Sequence, residues 1–487
     1  PYLAQYNTGV PLLMGDGTYK RCFESCGYDA SWNKPEQFTQ ELRLQSNFDG
    51  DFNFMLGAFY MDYKTETHYT IRSSSLALLG QIFAPAFLAS LGAPPVPLAL
   101  GDPNDPYSES NPYMQGYDND TRDYNLESWA VFGELYWDVS DRLSATVGLR
   151  YSDEEKDAKQ RTCYLFFLPC GPVLGGPTFG YFNPTYEDDK ASWKFNLTWT
   201  PNDDVLLYAT VSSSYKSGGF NPISNQDPLV LLDPSNEYFE PETIEAVEIG
   251  TKMTLLNNSM QLNATAFFYD YQDMQVSKIV DVTSLNKNTD AEVMGAEIEI
   301  NWIPAANLFV SLTGSWLDTE IKNFSDIDTT DPNGDGSTTG LIICNASVFL
   351  DISPNGCGAG KLPGVQVSQN GNEIANSPGF SYNLGLSYMI PMGEVDLILS
   401  TNYYYQDSQF SRNNNHVHDR VGSWDVWNAS ARFASVEDEW YVEAWIKNIN
   451  DDDFVTGQYT GSQVQGLFQN RFFLDPQTYG LTFGYNF

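Results

Sequence analysis

Apolar and polar residues alternate along most of this chain, and the alternation is clearest in its last nine residues. There Tyr479, Leu481, Phe483, Tyr485 and Phe487 alternate with glycine, threonine and asparagine. Successive side chains of a β-strand point to opposite faces, so the segment predicts a strand with one aromatic face and one small or polar face. In water such a free strand would aggregate, whereas in a bilayer its aromatic face meets lipid.

The same period of two recurs from Phe38 to Phe487 and predicts about fifteen strands. Short turns that contain Asn, Asp, Gly or Pro alternate with long connections. The short turns are residues 48–51, 139–141, 201–204, 256–259, 304–307, 392–394 and 436–439. The long connections are residues 73–125, 162–188, 217–241, 319–374, 411–421 and 455–473, with a shorter crossing at 280–285. This asymmetry predicts an all-β fold, a transmembrane antiparallel β-barrel with short periplasmic turns and long extracellular loops.

The direction of the first strand bears on how much of a barrel this sequence holds. Residues 38–47 run into a short turn, so an upward strand is expected before them. Bacterial single-chain barrels have an even number of strands, and about fifteen cannot close one. We therefore interpret residues 1–36 as an extracellular loop region and residues 37–487 as the C-terminal part of a larger barrel.

Composition supports a membrane barrel and excludes some functions. Aromatic residues make up 15% of the chain, although its mean hydropathy is −0.35, as expected for one lipid face and a wet interior. No uninterrupted apolar run reaches the ~18 residues that a transmembrane helix requires. The formal net charge of −38 argues against nucleic-acid binding, which needs clustered Lys and Arg. Loops poor in basic residues also disfavour a strongly anionic ligand, an inference that individual lumen residues could reverse.

The six cysteines fall into three close pairs on the long-loop side. Such spacing in loops favours three local disulfides in an oxidising compartment. Zinc is the competing interpretation, which the three histidines and the lack of a tight CxxC spacing disfavour. The pairs are Cys22 with Cys26, Cys163 with Cys170, and Cys344 with Cys357.

Several segments in order resemble the barrel of TonB-dependent outer-membrane receptors. They include FTQELRLQS from Phe38, LLYATVSSSYKSGGFNP from Leu206, FEPETIEAVEIGTK from Phe239, VMGAEIEINW from Val293, and the closing strand. Members of that family have 22 strands. Counting back from Phe487 makes the first strand here strand 8, so the resemblance implies that seven strands and the N-terminal plug lie outside this sequence.

The resemblance implies a function in transport. Family members bind a scarce solute, such as a ferric siderophore, cobalamin or an oligosaccharide, from outside the cell. The inner-membrane TonB–ExbB–ExbD complex then acts on the plug, through a TonB-contacting segment (the TonB box), to release the solute inward. Outer-membrane lipids and lipopolysaccharide are further expected partners in a Gram-negative outer membrane. The alternative is a barrel without transport activity that serves as a scaffold or as a component of a surface complex.

The segment YKSGGFN contains the candidate solute-binding residues Tyr215, Lys216, Phe220 and Asn221. Lys216 continues the polar phase of its strand and should face the lumen near the outer rim. The alternative is a wall residue that pairs with acidic residues of the lumen.

A second candidate is a calcium loop formed by Asp331, Asn333, Asp335 and Ser337. Oxygen ligands alternate there and glycine turns the chain, as in calcium-binding loops. The twelfth position, Ile342, lacks the usual glutamate, so an acidic turn without metal remains open; Asp326 and Asp328 could substitute.

The remaining features are weaker. His416 and His418 are two ligands without a third, and no nucleophile with an associated base is apparent, so we expect no enzyme activity. The apolar segment 74–93 has helical composition. It fits a loop cap, a lid over an apolar ligand, or a docking surface for a surface lipoprotein.

Overall fold

The structure is a computed structural model that describes residues 10–13, 19–22, 27–73, 116–164, 181–223, 234–280, 283–328, 365–437, 439–461 and 469–486. Two short 3₁₀-helices, Pro234–Asn236 and Val417–Asp419, accompany its strands. The strands are β1 Val10–Leu13, β2 Tyr19–Cys22, β3 Gly27–Gln45, β4 Phe52–Ser73, β5 Gly116–Ser140, β6 Leu143–Tyr164, β7 Thr185–Asn202, β8 Val205–Lys216, β9 Gly219–Phe220, β10 Tyr238–Phe239, β11 Glu242–Leu255, β12 Met260–Val280, β13 Thr283–Ala305, β14 Leu308–Lys322, β15 Ser325–Asp328, β16 Val365–Ser368, β17 Phe380–Pro391, β18 Val395–Gln406, β19 Gln409–Phe410, β20 Arg420–Val421, β21 Trp424–Ser435, β22 Trp440–Lys447, β23 Val455–Thr460, β24 Gln469–Phe473 and β25 Thr478–Tyr485.

Fifteen strands form one antiparallel sheet, which confirms the predicted fold class and strand number. The order is β3, β4, β5, β6, β7, β8, β11, β12, β13, β14, β17, β18, β21, β22 and β25. Each strand therefore pairs with the neighbouring sheet strand in sequence, as in an up-and-down barrel. The other ten strands form five two-stranded sheets, and four of these lie within the long connections.

The seven predicted short turns all join consecutive strands of the large sheet. Their backbone explains their composition. Asn257 and Asn258, between β11 and β12, have φ of 54° and 66°, and Gly393, between β17 and β18, has φ of 90°. Asparagine and glycine tolerate this left-handed region better than other residues.

The first strand of the sheet is longer than the sequence predicted. β3 begins at Gly27 and pairs with β4 as far as Ser73. Residues 27–36, which the sequence places in an extracellular loop region, therefore extend the strand. Pro35 weakens the strand signal, but β3 is an edge of the described sheet, where an unpaired backbone position can accept proline.

The two faces of the sheet differ as the alternation predicts. On the outward face, large apolar side chains such as Leu149, Phe195, Ile249 and Leu481 are exposed. On β4, β5 and β6 this apolar band ends at aromatic residues, each with a carboxylate two positions farther towards the long-loop side; the pairs are Tyr60 with Asp62, Trp129 with Glu127, and Tyr151 with Asp153. A membrane strand needs only ~9–11 residues, whereas β5 has 25. These strands therefore continue beyond the membrane on the long-loop side.

Tightly buried apolar side chains gather at this outer end of the sheet. Ile223, Leu285, Ile321 and Val421 are each at most 2% exposed, and all lie where strands meet the long connections. The described part of the barrel wall is one layer thick, so no second protein layer packs against its outward side chains. Within the described residues, the packed core lies at the outer end of the sheet. Among the described residues, no helix is long and apolar enough to cross a membrane.

The closing strand β25 is fixed in register by aromatic rings on its lumen face. Gly480 and Gly484 lie directly opposite Trp445 and Tyr441 of β22. Each ring occupies the space that a Cβ atom on the paired glycine would need. The glycines of the terminal pattern therefore accommodate rings, while its aromatic residues face lipid.

Candidate functional site

The lumen face of β6, β7 and β8 concentrates positive charge in an acidic chain. Alternation is unbroken along the pairing of β6 with β7 from Leu143 to Asp157 and continues through β8 to β11. Among the inward positions of the three strands are five cations and two carboxylates, a balance of +3. The cations are Arg150, Lys156, Lys190, Lys194 and Lys216, and the carboxylates are Glu154 and Asp188. We call this surface the cationic sector.

The neighbouring strands carry the opposite charge. Up to the bulge that follows Tyr271 in β12, the inward positions of β11, β12 and β13 include four carboxylates and one cation, a balance of −3. These residues are Glu242, Glu248, Glu297, Glu299 and Lys252. We call this surface the acidic sector. Glu297, Glu299 and Lys252 line a cavity of about 510 Å³ on the lumen wall.

Within the cationic sector, the lower side chains are held by short contacts. Lys194 Nζ lies 2.7 Å from Glu134 Oε1 of β5. Arg150 donates from Nε to Ser152 Oγ at 2.9 Å. Its guanidinium lies 5.5 and 5.3 Å from the ring centres of Phe59 and Phe132, within the range of cation–π attraction. The sector is thus ordered below the rim.

Lys156 occupies the outer end of the cationic sector. It lies five residues beyond Tyr151, outside the apolar band, and its side chain is only 12% exposed. Its ammonium group donates to Ser217 Oγ at 2.8 Å and to the Gly218 carbonyl at 2.6 Å, while the nearest carboxylate oxygen, on Glu154, is 3.7 Å away. Burial lowers the pKa of Lys156, because neutral oxygens replace water only in part.

The segment that Lys156 contacts is residues 217–223, which we call the strap. It follows β8 and lies against the lumen face of β6. Gly218 packs so closely against Tyr186 and the Phe239 carbonyl that a Cβ atom would overlap both. Burial raises the pKa of Tyr186 to about 12, and the charges of Asp188 and Glu240 add to this shift. Tyr186 therefore stays neutral at physiological pH beside the strap.

Asn221 fixes the far end of the strap and is fully buried. Its amide nitrogen donates to the carbonyls of Asn236 and Asn286 at 2.9 and 3.0 Å. Its side-chain oxygen accepts from the Asn286 backbone N–H at 2.7 Å, and its own carbonyl accepts from Gln160 Nε2 at 2.9 Å. One asparagine thus joins β6, the β8–β11 connection and β13.

The structure brings together three of the four sequence-predicted residues around Lys156. Lys216 lies on the inward phase opposite Glu242, and its charge acts on Lys156. Tyr215 lies near Ser152 and Glu154, and burial raises its pKa. Phe220 contacts Tyr124, with ring centres 6.1 Å apart. The side-chain amide of the fourth residue, Asn221, is bonded to Asn236 and Asn286, so Asn221 fixes the far end of the strap.

Sequence reasoning did not single out Lys156 or Arg150. The alternation of residues 142–152 puts Arg150 on the polar face of its strand, and continuing it to residue 156 puts Lys156 on the same face. The contact of Lys156 with residues 61 and 62 positions later has no comparable local signal. Only the folded sheet reveals it.

Most residues of the other predicted sites lie outside the part of the chain that the structure describes. Asp331, Asn333, Asp335 and Ser337, the apolar segment 74–93, and the cysteines Cys26, Cys170, Cys344 and Cys357 lie outside the described residues. Cys22 ends β2 and Cys163 lies in β6, which tests neither disulfide. The backbone carbonyl of His418 accepts hydrogen bonds from Gln458 and Gln469. Within the described ranges, no three or more His, Cys, Asp and Glu side chains are arranged to hold a metal ion.

A larger cavity of about 950 Å³ lies over the middle strands. Much of its lining is small or apolar outward residues, including Ala264, Ala266, Ala296 and Gly314, between Ile249 and Trp316. This groove belongs to the apolar band, where acyl chains contact a membrane barrel. Its exposed surface is mostly apolar, which makes it unsuited to orient a polar solute.

Comparison with known proteins gives a consistent result. Residues 2–449 match the family described as "TonB dependent receptor-like, beta-barrel". A pesticin receptor from Yersinia enterocolitica is 25% identical over 230 residues, which are 47% of this chain and 30% of that protein.

Two solved structures have a similar fold. The ferric yersiniabactin uptake receptor FyuA from Yersinia pestis has a TM-score of 0.62 at 15% identity, covering 93% of this chain and 54% of that one. The siderophore receptor PiuA from Acinetobacter baumannii has a TM-score of 0.61 at 18% identity, covering 93% and 56%. The chain spans about half the length of these two structures and less than a third of the pesticin receptor.

Proposed function

The chain belongs to the TonB-dependent receptor family, and we propose that the whole protein is an outer-membrane receptor that takes up a scarce solute through its lumen. Energy for release would come from the TonB–ExbB–ExbD complex, acting on parts of the protein beyond these residues. Relatives of this family are transport receptors and not enzymes, which agrees with the absence of a catalytic motif in the sequence.

The observation that carries this proposal is the cationic sector with the strap above it. A structural wall in a chain of net charge −38 has no need to collect five cations on three adjacent strands. Charge of one sign that lines a concave surface raises the local concentration of oppositely charged solutes. The rings of Tyr124 and Phe220 lie at the same rim and offer apolar contact.

The proposed solute is a metal chelate carried by an organic anion. FyuA is a ferric yersiniabactin uptake receptor and PiuA is a siderophore receptor, and the proposal extends this class of solute to the present chain. Ferric siderophores are therefore the first solutes to test. The proposal departs from the expectation, based on basic-poor loops, that an anionic ligand is disfavoured.

The remaining partners are proposals of the same kind. The apolar band and the groove over β8 to β17 would contact outer-membrane lipids and lipopolysaccharide. A surface lipoprotein would dock on the apolar segment 74–93, and Ca²⁺ would bind the loop of Asp331 to Ser337. Each is proposed from residue type and position in the sequence.

Uptake by a strain from which the whole gene is deleted tests the function. We expect loss of growth on at least one ferric chelate as the only iron source, and recovery when the gene is returned. Mass spectrometry of ligand retained by natively purified protein would identify the solute. Normal growth of the deletion strain on every chelate, together with co-purifying surface proteins, would instead support the scaffold.

A further inference from the structure

Lys156 is a buried cation whose two hydrogen-bond acceptors are neutral and whose ion-pair partner, Glu154, is more distant. Its ammonium group bonds to Ser217 Oγ and the Gly218 carbonyl at 2.8 and 2.6 Å, and Glu154 stands off at 3.7 Å. Both of these hydrogen bonds already have a charged donor, but an anionic oxygen would add direct Coulomb attraction to the ammonium group. An arriving anion would therefore compete well for this position.

The charges that face Lys156 come from all three strands of the cationic sector. Glu154 and Asp188 attract it, and Lys216 repels it. Lys190 and Arg150 lie on the same inward face nearer the membrane. An anion that enters here meets Lys156, Lys190, Lys216 and Arg150, with Glu154 and Asp188 on the same strands, Glu242 opposite Lys216 and Glu240 near Tyr186. The ammonium group of Lys156 itself thus favours an anionic oxygen over the uncharged strap.

The strap is built so that its first residues can move while its far end stays fixed. Ser217 and Gly218 are held by Lys156, and Gln275 Nε2 donates to the Ser217 carbonyl at 3.0 Å. Asn221 is held by an independent set of bonds to Asn236, Asn286 and Gln160. Gly219, which pairs with Phe239 of β10, lies between Gly218 and Asn221, and glycine tolerates the backbone changes that a hinge requires.

Aromatic rings flank this position on both sides. Tyr186 stacks on Tyr238 with ring centres 6.3 Å apart, and Phe220 contacts Tyr124 at 6.1 Å. Tyr63 continues the second group at 6.3 Å from Tyr124. A solute with an organic skeleton would gain apolar contact here, while its charged oxygen reaches the lysine.

We propose that Lys156 binds an anionic oxygen of the solute, and that the solute gains this contact by displacing Ser217 and Gly218 from the ammonium group. Lys156 is thus a specificity-determining residue for carboxylate or phenolate oxygens, and binding loosens the first residues of the strap while Asn221 keeps the rest in place. This inference rests on the proposed function, because it takes the lumen as the path of the solute.

The test uses citrate as the probe and the purified full-length protein. Citrate binding is measured by calorimetry, and amide hydrogen exchange is followed at residues 217–219 and at residues 221–223. We expect citrate to speed exchange at residues 217–219 at least tenfold and to leave residues 221–223 unchanged. Maltose, a neutral solute, should do neither.

Variants separate a binding role from a structural one. In Lys156→Met we expect at least tenfold weaker citrate binding and fast exchange at residues 217–219 without ligand. Lys156→Arg should restore most of the binding, because it keeps the charge. Lys252→Met, the same substitution in the acidic sector, serves as the matched control and should bind citrate like the parent protein.

Three results would overturn the inference: no citrate binding at tens of millimolar, unchanged citrate binding in Lys156→Met, or binding that leaves exchange at residues 217–219 as it was. These outcomes are distinct from failure of the proposed function. A transport-competent protein without the citrate response refutes the role of Lys156 alone, whereas a deletion strain that grows normally refutes transport.

Discussion

The cationic and acidic sectors are adjacent parts of one lumen wall with opposite charge and different construction. In the cationic sector, hydrogen bonds from Lys156 and Gln160 join the sheet to the strap. In the acidic sector, bonds stay within the sheet: Tyr269 donates to Glu248 at 2.6 Å, and Asn263 donates to Glu299 at 3.1 Å. The outer end of the first sector, at Lys156, is covered by its own chain, and the second sector is open towards the lumen.

This difference indicates that the cationic and acidic sectors have different roles in the lumen. A covered cationic surface can exchange its cover for a solute, as proposed above. Across the described ranges, the carboxylates of the acidic sector are not covered by a segment that a solute could displace, so their charge faces the lumen directly. The predictions below weaken one sector while leaving the other unchanged.

The largest effect is expected from Asn221→Ala, which removes the anchor of the strap. The substitution leaves the Asn286 N–H and two carbonyls without their buried partner, and each such group costs about 1–3 kcal/mol. We expect the opening free energy of the strap to fall by about 2–4 kcal/mol, so that hydrogen exchange at residues 221–223 accelerates by roughly 30-fold to 1,000-fold.

Asn448→Ala is the matched control for that prediction. Asn448 is 2% exposed and donates to the carbonyls of Asp452 and Asp475, on the opposite side of the sheet. It should loosen its own connection and leave the strap protected. Equal protection of the strap in Asn221→Ala and in the parent protein would show that Asn221 is not its anchor.

The sequence predicted the strands and turns of the large sheet better than it predicted the contacts of the strap. Period-two alternation is a local signal, and it identified fifteen strands, seven short turns and the inward phase of Lys216. The contacts of Asn221 with Asn286 and of Lys156 with Gly218 join residues 62 or more positions apart. Such contacts depend on sheet register and loop path, which no local pattern of residue types records.

The second prediction concerns a charge reversal in each sector. Lys156→Glu places a third carboxylate beside Glu154 and Asp188, and at ~5 Å with an effective dielectric constant of ~20 one unit charge is worth about 3 kcal/mol. We expect citrate to bind at least a hundredfold more weakly. Lys252→Glu, the equivalent change in the acidic sector, should alter citrate binding less than threefold in the same titration. Similar losses in both variants would mean that the charge of the whole lumen, and not the cationic sector, attracts the anion.

The third prediction is a pH dependence of binding in the cationic sector. Burial holds the pKa of Lys156 below its ordinary value of 10.5, so its proton leaves at lower pH than that of an exposed lysine. Tyr186, whose pKa is raised to about 12, stays uncharged over most of the same range, and the pKa of Tyr215 is raised as well. Citrate affinity should therefore fall as pH rises towards 10.5, with its midpoint below that value.

The matched variant for this prediction is Lys156→Arg, because arginine keeps its charge across this range. It should move the loss of affinity to higher pH. Calorimetric titrations from pH 7 to pH 11 measure both curves, and coincident midpoints would assign the pH dependence to another group.

The smallest effect is expected from Glu297→Gln in the acidic sector. Glu297 and Glu299 lie two positions apart on one face of β13, and Glu248 lies close enough that both it and Glu297 act on the Tyr269 hydroxyl. Repulsion between neighbouring like charges on a sheet costs about 0.2–1 kcal/mol. Glutamine keeps the shape and removes one charge, so the unfolding temperature in detergent should rise slightly. Lys190→Gln in the cationic sector removes a cation that has Glu154 and Asp188 nearby and should lower it slightly. Because salt screens exposed charges, both differences should shrink in 1 M NaCl, and a rise for Glu297→Gln that persists in salt would have to come from packing instead of charge.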